Sequence, residues 1–395
     1  MKITIIGAGI GGLTAGIALL KKGFDVTILE QASSLKEIGA GVQLSANATG
    51  VLYRLGLGPA LESIASEPIG KRVRLWNTGQ IWPLFDLGAN SRLAYGYPYF
   101  TLHRADLHTA LATEVMRLKP DAIKLGVRVT GHVQHDGGVT ISAENGDVFE
   151  STIAIGADGV HSRTRESLFG QDAPRYSGVM AWRGVIKAAD LPERLRAPYG
   201  TNWVGPGAHV IQYPLRNGDL INFVGAVEGN RWEVESWSER GTHAECLGDF
   251  KGWHEDVHTL INAIDVPYKW VLKVRDPMPA WTKGNVTLLG DACHPTLPFL
   301  AQGAGMAIED GYILARALEK YPNAPATAFA SYEKARHERT AKVVLGSAAN
   351  TKRFHNPALA DAKGAAEYVE REWNEERVRE RYEWLFKYNV DTVAL

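Results

Sequence analysis

The sequence predicts an α/β protein, α+β overall: a Rossmann-like nucleotide-type domain, an inserted sheet-based domain and a C-terminal helical region. Three observations carry the prediction. Residues 2–30 read as strand, glycine loop, helix and strand. The same βα style returns at VTLLGDA, residues 286–292. Between the two, from about 175 to 275, strand-like runs dominate and most of the Trp residues fall. The nucleotide-type domain is therefore expected in three pieces, 1–70, 100–174 and 276–350. The inserted sheet takes 71–99 and 175–275, and 351–395 forms the helical tail.

In order along the chain, KITII at 2–6 is a β-branched strand, Gly7 to Gly12 form a turn, and Leu13 to Lys22 form a helix stopped by Gly23. FDVTIL at 24–29 is a second strand, ending at Glu30. Residues 47–65 read as helix with a break near Gly56 to Pro59. VRLWNTGQIWPLF reads as a hairpin with its turn at Asn77 to Gly79. A helix follows at 106–118, then short alternating strands over 123–155. GVMAWRGVI, AHVIQYPL and LINFVGAV are the strands of the insert. One helical stretch is expected at 243–264, where Leu247, Phe250, Val257, Leu260 and Ile264 recur at helical spacing. Helices at 304–319 and 326–351 follow. The Glu- and Arg-rich tail, 360–385, is expected as one or two helices packed on the surface or on a partner.

Formal net charge is −1, from 43 basic and 44 acidic residues, so no global field draws nucleic acid or an anionic membrane. Two cysteines in 395 residues fit a reducing compartment. ITIIGAGIGGLTAGIALL mimics a signal or membrane segment, but its five patterned glycines and the KKGFDVTILE that follows favour a buried strand, turn and helix. The expectation is a cytoplasmic monomer or homodimer with no nucleic-acid or membrane partner.

Gly7, Gly9 and Gly12 occupy GxGxxG directly after a strand and at the opening of a helix. The first glycine permits the tight turn, the second lets the backbone approach a pyrophosphate, and the third lets helix and strand pack closely. Glu30 ends the second strand, where a carboxylate accepts hydrogen bonds from a ribose diol. This context predicts dinucleotide binding. ADGVHSRTR at 157–165 and Gly290-Asp291 close two further apolar strands, where open-sheet proteins place ligand contacts.

Together GAGIGG at 7–12, GADGVHSRTR at 156–165 and GDACHPTLPFLAQGAGMAIED at 290–310 resemble the motifs of the group A flavoprotein aromatic hydroxylases, which share the fold of para-hydroxybenzoate hydroxylase. The resemblance covers nearly the whole chain. It implies that the first motif holds the ADP part of FAD, that Asp158 and Gly159 serve both FAD and the nicotinamide, and that Asp291 bonds the ribityl chain. It places Arg104 and Gln43 against FAD, and NADH or NADPH as transient co-substrate. It implies that reduced FAD reacts with O₂ to a C4a-hydroperoxide, which transfers oxygen to the ring of a small phenolic acid. Within the group the chain is similar to salicylate hydroxylase, 3-hydroxybenzoate 6-hydroxylase and 6-hydroxynicotinate 3-monooxygenase. GAHVIQYPL resembles the segment in which such enzymes place a base and a tyrosine, which maps those roles to His209 and Tyr213. The 6-hydroxylase type tends to have Gln where HPTLP has Pro298, which points away from 3-hydroxybenzoate and toward the salicylate or hydroxynicotinate type. Salicylate 1-monooxygenase, with decarboxylation to catechol, is the leading expectation, with 6-hydroxynicotinate 3-monooxygenase or 3-hydroxybenzoate 6-hydroxylase as the alternatives. A non-hydroxylating FAD oxidoreductase or a regulatory flavoprotein is the alternative of another class. It would keep Gly7, Gly9 and Asp291 without needing His209.

Cys293 next to His294 invites a metal or thiol reading. Zinc sites need about four ligands in recognisable spacing, and the two cysteines stand 47 residues apart with no CxxC. Adjacent residues of an extended segment also point apart. No metal is expected. His294 and Pro295 are expected to shape the loop at the flavin, with Pro298 on the same wall. Ala301, Gly303, Ala304 and Gly305 would bring backbone amides and a helix start toward it. Glu309 and Asp310 read as acidic residues of an early helix turn. Arg183 and Arg216 are candidates for a substrate carboxylate. Trp182 and Phe299 are candidates for a flat apolar wall.

Overall fold

The computed structural model describes residues 1–35, 40–229 and 239–395. Residues 230–238 of the inserted segment therefore lie outside the described residues. A six-stranded sheet runs, edge to edge, through Thr282–Lys283, Val286–Leu288, Ile153–Gly156, Lys2–Ile6, Asp25–Leu29 and Ile123–Lys124. All its pairings are parallel except the first. Ile3, Ile5, Val26, Ile28, Ile153 and Ile155 are fully buried, as a parallel sheet covered on both faces requires. The helices Ile10–Lys21 and Gly303–Lys320 pack together closely, because a Cβ at Gly311 would stand 2.7 Å from the Ala15 nitrogen.

The second sheet has seven strands, in the order Tyr268–Val274, Arg175–Lys187, Leu220–Glu228, Ala208–Leu215, Tyr199–Gly205, Gly70–Leu75 and Ile81–Asp86. Its register decides what faces the ligand side. Arg183 pairs with Val224, and Val224 with Ile211; Ala181 pairs with Ala226, and Ala226 with His209. Paired residues project from one face and their neighbours from the other. His209, Ile211, Tyr213 and Arg183 therefore share a face. Trp182, opposite Gly225, points the other way.

That other face is closed by helices His243–Asp249 and Glu255–Asn262 around Trp182, Trp203, Phe223, Phe250 and Leu260. Trp182 is fully buried there and its indole Nε1 donates to Asp249 Oδ2 at 2.7 Å. It is a core residue and not part of a substrate wall. The single helix expected over 243–264 is two helices. Between them Gly252 takes φ +82°, a left-handed conformation that interrupts the helix.

The face bearing His209 is covered by the long helix Pro325–Phe354 and by the tail helices Ala362–Glu372 and Glu375–Phe386. Phe354, Trp373, Leu385 and Phe386 bury themselves in one cluster with Val179 and Ala226 of the sheet. The tail thus packs on its own chain. Among the described residues no helix is long and apolar enough to cross a membrane, and no group of three or more metal-ligating side chains forms.

Candidate active site

Two cavities flank the amino end of helix Ile10–Lys21. The first, about 650 Å³, is lined by Gly7, Gly9, Glu30, Arg128, Asp158 and Gly159 among others. The three motif glycines divide the work as their spacing suggests. Gly7 has φ +108°, and a Cβ there would fall 2.4 Å from the Ala157 carbonyl oxygen. A Cβ on Gly12 would fall 2.1 Å from the Gly7 oxygen, so Gly12 serves packing and lines neither cavity. Gly9 is open, with nothing within 4 Å of its missing Cβ, at the N-cap of the helix. A phosphate approaching there meets backbone N–H groups and the positive end of the helix dipole.

The carboxylates of this cleft are braced. Glu30 Oε2 accepts from the Ala8 N–H and Oε1 from the Ala32 N–H, both at 2.8 Å. Asp158 accepts from the Ser162 hydroxyl at 2.5 Å and from the N–H and hydroxyl of Thr164, each at 2.9 Å. It therefore fixes the turn into helix Arg163–Phe169. Arg165, which the sequence reading passed over, is 1% exposed and donates to Ala292 O and Val160 O, each at 3.1 Å. It ties the middle motif to the GDA turn.

The second cavity, about 230 Å³, has two walls. On one side stand Ile10, Gln43, Arg104, Asp291, Ala301, Gly303 and Ala304; on the other stand His209, Ile211, Tyr213, Arg183, Pro298 and Phe299. Ala301 takes φ +53°, rare for a residue with a side chain, where the short turn Pro298–Leu300 swings into helix Gly303–Lys320. Gly305 lies on the inner side of that helix, where an added Cβ would stand 3.5 Å from Ala48, and does not line the cavity. Gly41 matters instead: its N–H donates to Asn222 Oδ1 at 2.7 Å, and a Cβ would strike the Tyr213 ring at 2.6 Å. Gln43 is positioned by the Tyr99 hydroxyl, which donates to its Oε1 at 2.8 Å.

Asp291 faces the open cavity and is solvent-exposed, although it is ringed by protein atoms. Desolvation pushes its carboxyl above the ordinary value, with His294 and Arg104 pulling it back. Burial pushes the Tyr213 phenol well up, so it remains a neutral donor. Burial, then Arg104, lowers Arg183, which still carries its charge. The Arg183 guanidinium lies over Trp270 at 5.1 Å and Tyr268 at 5.7 Å. Burial, then His355, drives His209 well below the usual imidazole value. Its Nδ1 is 2.6 Å from His355 Nε2, while its Nε2 has no hydrogen-bond partner among the described residues. Phe299 packs edge-on to the His209 ring at 4.9 Å.

Two expectations move, and His294 holds the loop from behind. Arg216 is paired bidentately with Asp106, at 2.7 and 2.8 Å, outside the cavity, so it does not receive a substrate carboxylate. His294 is 3% exposed behind the loop, with Nε2 2.7 Å from Asp310 Oδ2, and does not face the cavity. Glu309 and Asp310 are not helix-start charges exposed to water. Both are fully buried in an ion cluster with Arg336 and Arg339. Burial works against the Asp310 anion, yet His294 and Arg336 outweigh it and hold its pKa at about 2.

The cavities fit FAD. Gly9 lines one and its neighbour Ile10 the other, so a diphosphate at the helix start would stand between an adenosine on the Glu30 side and a flat ring system between Gln43 and Ala304. Comparison with known proteins agrees. The family model for the FAD binding domain matches residues 1–347. The chain is 37% identical over 356 residues to 3-amino-4-hydroxybenzoate 2-monooxygenase of Streptomyces platensis, covering 90% of this chain and 89% of the relative. It is 37% identical to 6-hydroxynicotinate 3-monooxygenase of Pseudomonas fluorescens, covering 89% and 91%. It is 35% identical to 3-hydroxybenzoate 6-hydroxylase of Polaromonas naphthalenivorans, covering 99% and 96%. A crystal structure of a variant of Klebsiella pneumoniae HpxO complexed with FAD superposes with a TM-score of 0.84 at 28% identity, covering 96% of this chain and 97% of that one. The chain belongs to the group A FAD-dependent aromatic hydroxylases, and is an FAD-binding oxidoreductase of the monooxygenase type.

Proposed function

We propose that this protein uses NADH or NADPH and O₂ to hydroxylate a small ring monocarboxylic acid that already carries a ring hydroxyl, of the 6-hydroxynicotinate or 3-hydroxybenzoate kind. The observation that carries the reading is the cavity wall on which a buried, unpartnered His209 Nε2 and a neutral Tyr213 share a face with the Arg183 cation. Bound FAD supplies the reductive activation of O₂; the protein supplies position, field and a base. Arg183 takes the substrate carboxylate as a charge-assisted pair. Phe299, Pro298, Ile211 and Val224 flank the ring and keep water out. Tyr213 donates a hydrogen bond to the ring substituent. His209 Nε2 accepts the ring-hydroxyl proton, which raises electron density at the carbons ortho and para to that oxygen. On the cofactor side Gly7, Gly9, Glu30, Asp158 and Gly159 would receive the ADP half. Gln43, Arg104, Asp291, Ala301, Gly303 and Ala304 would receive the flavin half.

Of the two acids to which Pro298 points, salicylate and hydroxynicotinate, the relatives support the second. Relatives at 35 to 37% identity are named for aminohydroxybenzoate, hydroxynicotinate and 3-hydroxybenzoate chemistry. The test is a screen of those three acids and salicylate for stimulated NADH and NADPH oxidation, with the product read by mass. Gain of one oxygen, with or without loss of CO₂, is the expected result. Reductant consumption without an oxygenated product from any acid would overturn the hydroxylase reading in favour of a non-hydroxylating flavoprotein.

A further inference from the structure

His209, His355 and Glu228 come from three separate elements and form one hydrogen-bonded line. His209 stands opposite Ala226 in the sheet, and Glu228 is two residues on from Ala226, so it projects from the same face. His355 caps the long helix, and its carbonyl accepts the Gly207 N–H at 3.2 Å. His209 Nδ1 lies 2.6 Å from His355 Nε2, and His355 Nδ1 lies 2.8 Å from Glu228 Oε1. Exposure rises along the line: His209 0%, the His355 side chain 1%, the Glu228 side chain 50%.

The proton positions follow from the outer end. An ionised carboxylate only accepts, so His355 Nδ1 carries the hydrogen. A neutral imidazole has one donor and one acceptor, so His355 Nε2 accepts and His209 Nδ1 donates. His209 Nε2 is thereby left as a lone pair on a cavity-lining ring. A buried imidazole walled by Phe299 and Phe354 is a poor place to keep a positive charge. The base therefore needs an exit for what it takes.

We propose that His355 and Glu228 are positioning residues of a proton relay that carries the substrate's ring-hydroxyl proton from His209 to solvent. This rests on the reading of His209 as the base. The substrate O–H bond breaks as His209 Nε2–H forms. His209 Nδ1–H breaks as His355 Nε2–H forms, and His355 Nδ1–H breaks as Glu228 Oε1 is protonated. Glu228 then releases the proton to water. One proton leaves the cavity and no charge remains on either imidazole. Reversal restores both tautomers when the product oxygen is reprotonated.

The test compares the unaltered holoenzyme with Glu228→Gln, Glu228→Ala and His355→Leu. The probe is whichever of 6-hydroxynicotinate, 3-hydroxybenzoate and 3-amino-4-hydroxybenzoate the unaltered enzyme hydroxylates. Rapid mixing follows ionisation of the bound ring hydroxyl by its ultraviolet absorbance. In both Glu228 variants we expect bound FAD and probe Kd to hold, ionisation to slow by about tenfold or more, and the solvent deuterium isotope effect to grow. Formate should restore the rate in Glu228→Ala and not in His355→Leu, which a merely structural role would not produce. Equal ionisation rates and isotope effects in the unaltered enzyme and both Glu228 variants would overturn the relay while leaving His209 as base. Hydroxylation of none of the three acids by the unaltered enzyme would overturn the functional reading, and the relay with it.

Discussion

The loop from Gly290 to Gly303 separates two polar regions built on opposite rules. Behind it, Glu309, Asp310, Arg336 and Arg339 form a cluster in which every carboxylate oxygen accepts and every guanidinium nitrogen donates. The cluster gathers the Gly290 N–H and His294 from the loop, Asn47 from helix Ala46–Arg54, and Trp384, Leu385 and Tyr388 from the tail. In front of the loop, His209 Nε2 has no partner among the described residues, and Asp291 opens onto empty space. Unsatisfied buried polar atoms are costly. A chain that pairs every carboxylate and guanidinium on one side of a loop, and on the other turns an imidazole acceptor and a carboxylate toward a cavity, marks the second side as the one that meets a ligand.

The contrast is broken most severely at Arg336. Arg336→Met leaves Glu309 and Asp310 short of their shared cation in a fully buried setting. A loss of about 3–5 kcal/mol of stability is expected, read by urea or thermal unfolding, with FAD lost as the fold goes. Unchanged unfolding would show that the cluster is not what ties the loop to the long helix. His209→Gln tests the other side. It should retain FAD and the fold, and lower hydroxylation by about 10²- to 10⁴-fold. Full turnover in that variant would remove His209 from the base role.

How much of this was legible in the sequence differs between the two sides. The glycine loop could be read directly because its function is local: three backbone positions within six residues. His209 and Tyr213 could be placed on one face by strand parity. The same rule, applied to Trp182 and Arg183, forbids both from lining one wall, and the structure puts Trp182 in the core. The ion cluster was not legible. Glu309 and Asp310 looked like ordinary acidic residues near a helix start, and their partners stand a whole helix later at Arg336 and Arg339. Nor could His355 be told from a basic residue at a helix end. Its link to Glu228 spans 127 positions and exists only once sheet and long helix are packed.

Acid should separate the two regions in two steps. His209 is held below its unfolded value by burial, so the unfolded chain binds the proton first, and stability is lost as pH falls below about 6.5. Asp310 moves from 3.8 unfolded to about 2 in the fold, so its contribution is present above the first value and lost as pH falls toward the second. That limb is worth about 2 kcal/mol. Unfolding free energy measured against pH should show both limbs, and His209→Gln should shrink the upper one, to which burial of His103, His132 and His355 also contributes, while leaving the lower one unchanged. A profile flat from neutrality to about pH 4 would mean that the cavity side carries no such cost.

The smallest effect is expected at Asp291, and its sign is the informative part. Desolvation raises its folded pKa, so the FAD-free fold favours the protonated form and loses stability as pH rises through the carboxylate range. Asp291→Asn removes that cost. The FAD-free variant should melt slightly higher at neutral pH than the unaltered protein, while binding FAD less tightly because an acceptor for the cofactor's hydroxyls is gone. Asp310→Asn, on the other side of the loop, should lower the melting temperature. Opposite signs from two aspartates in one twenty-residue stretch would show directly that Asp291 is maintained for a ligand and Asp310 for the fold. If both substitutions destabilise the FAD-free protein, Asp291 belongs with the structural cluster and the division drawn at the loop is wrong.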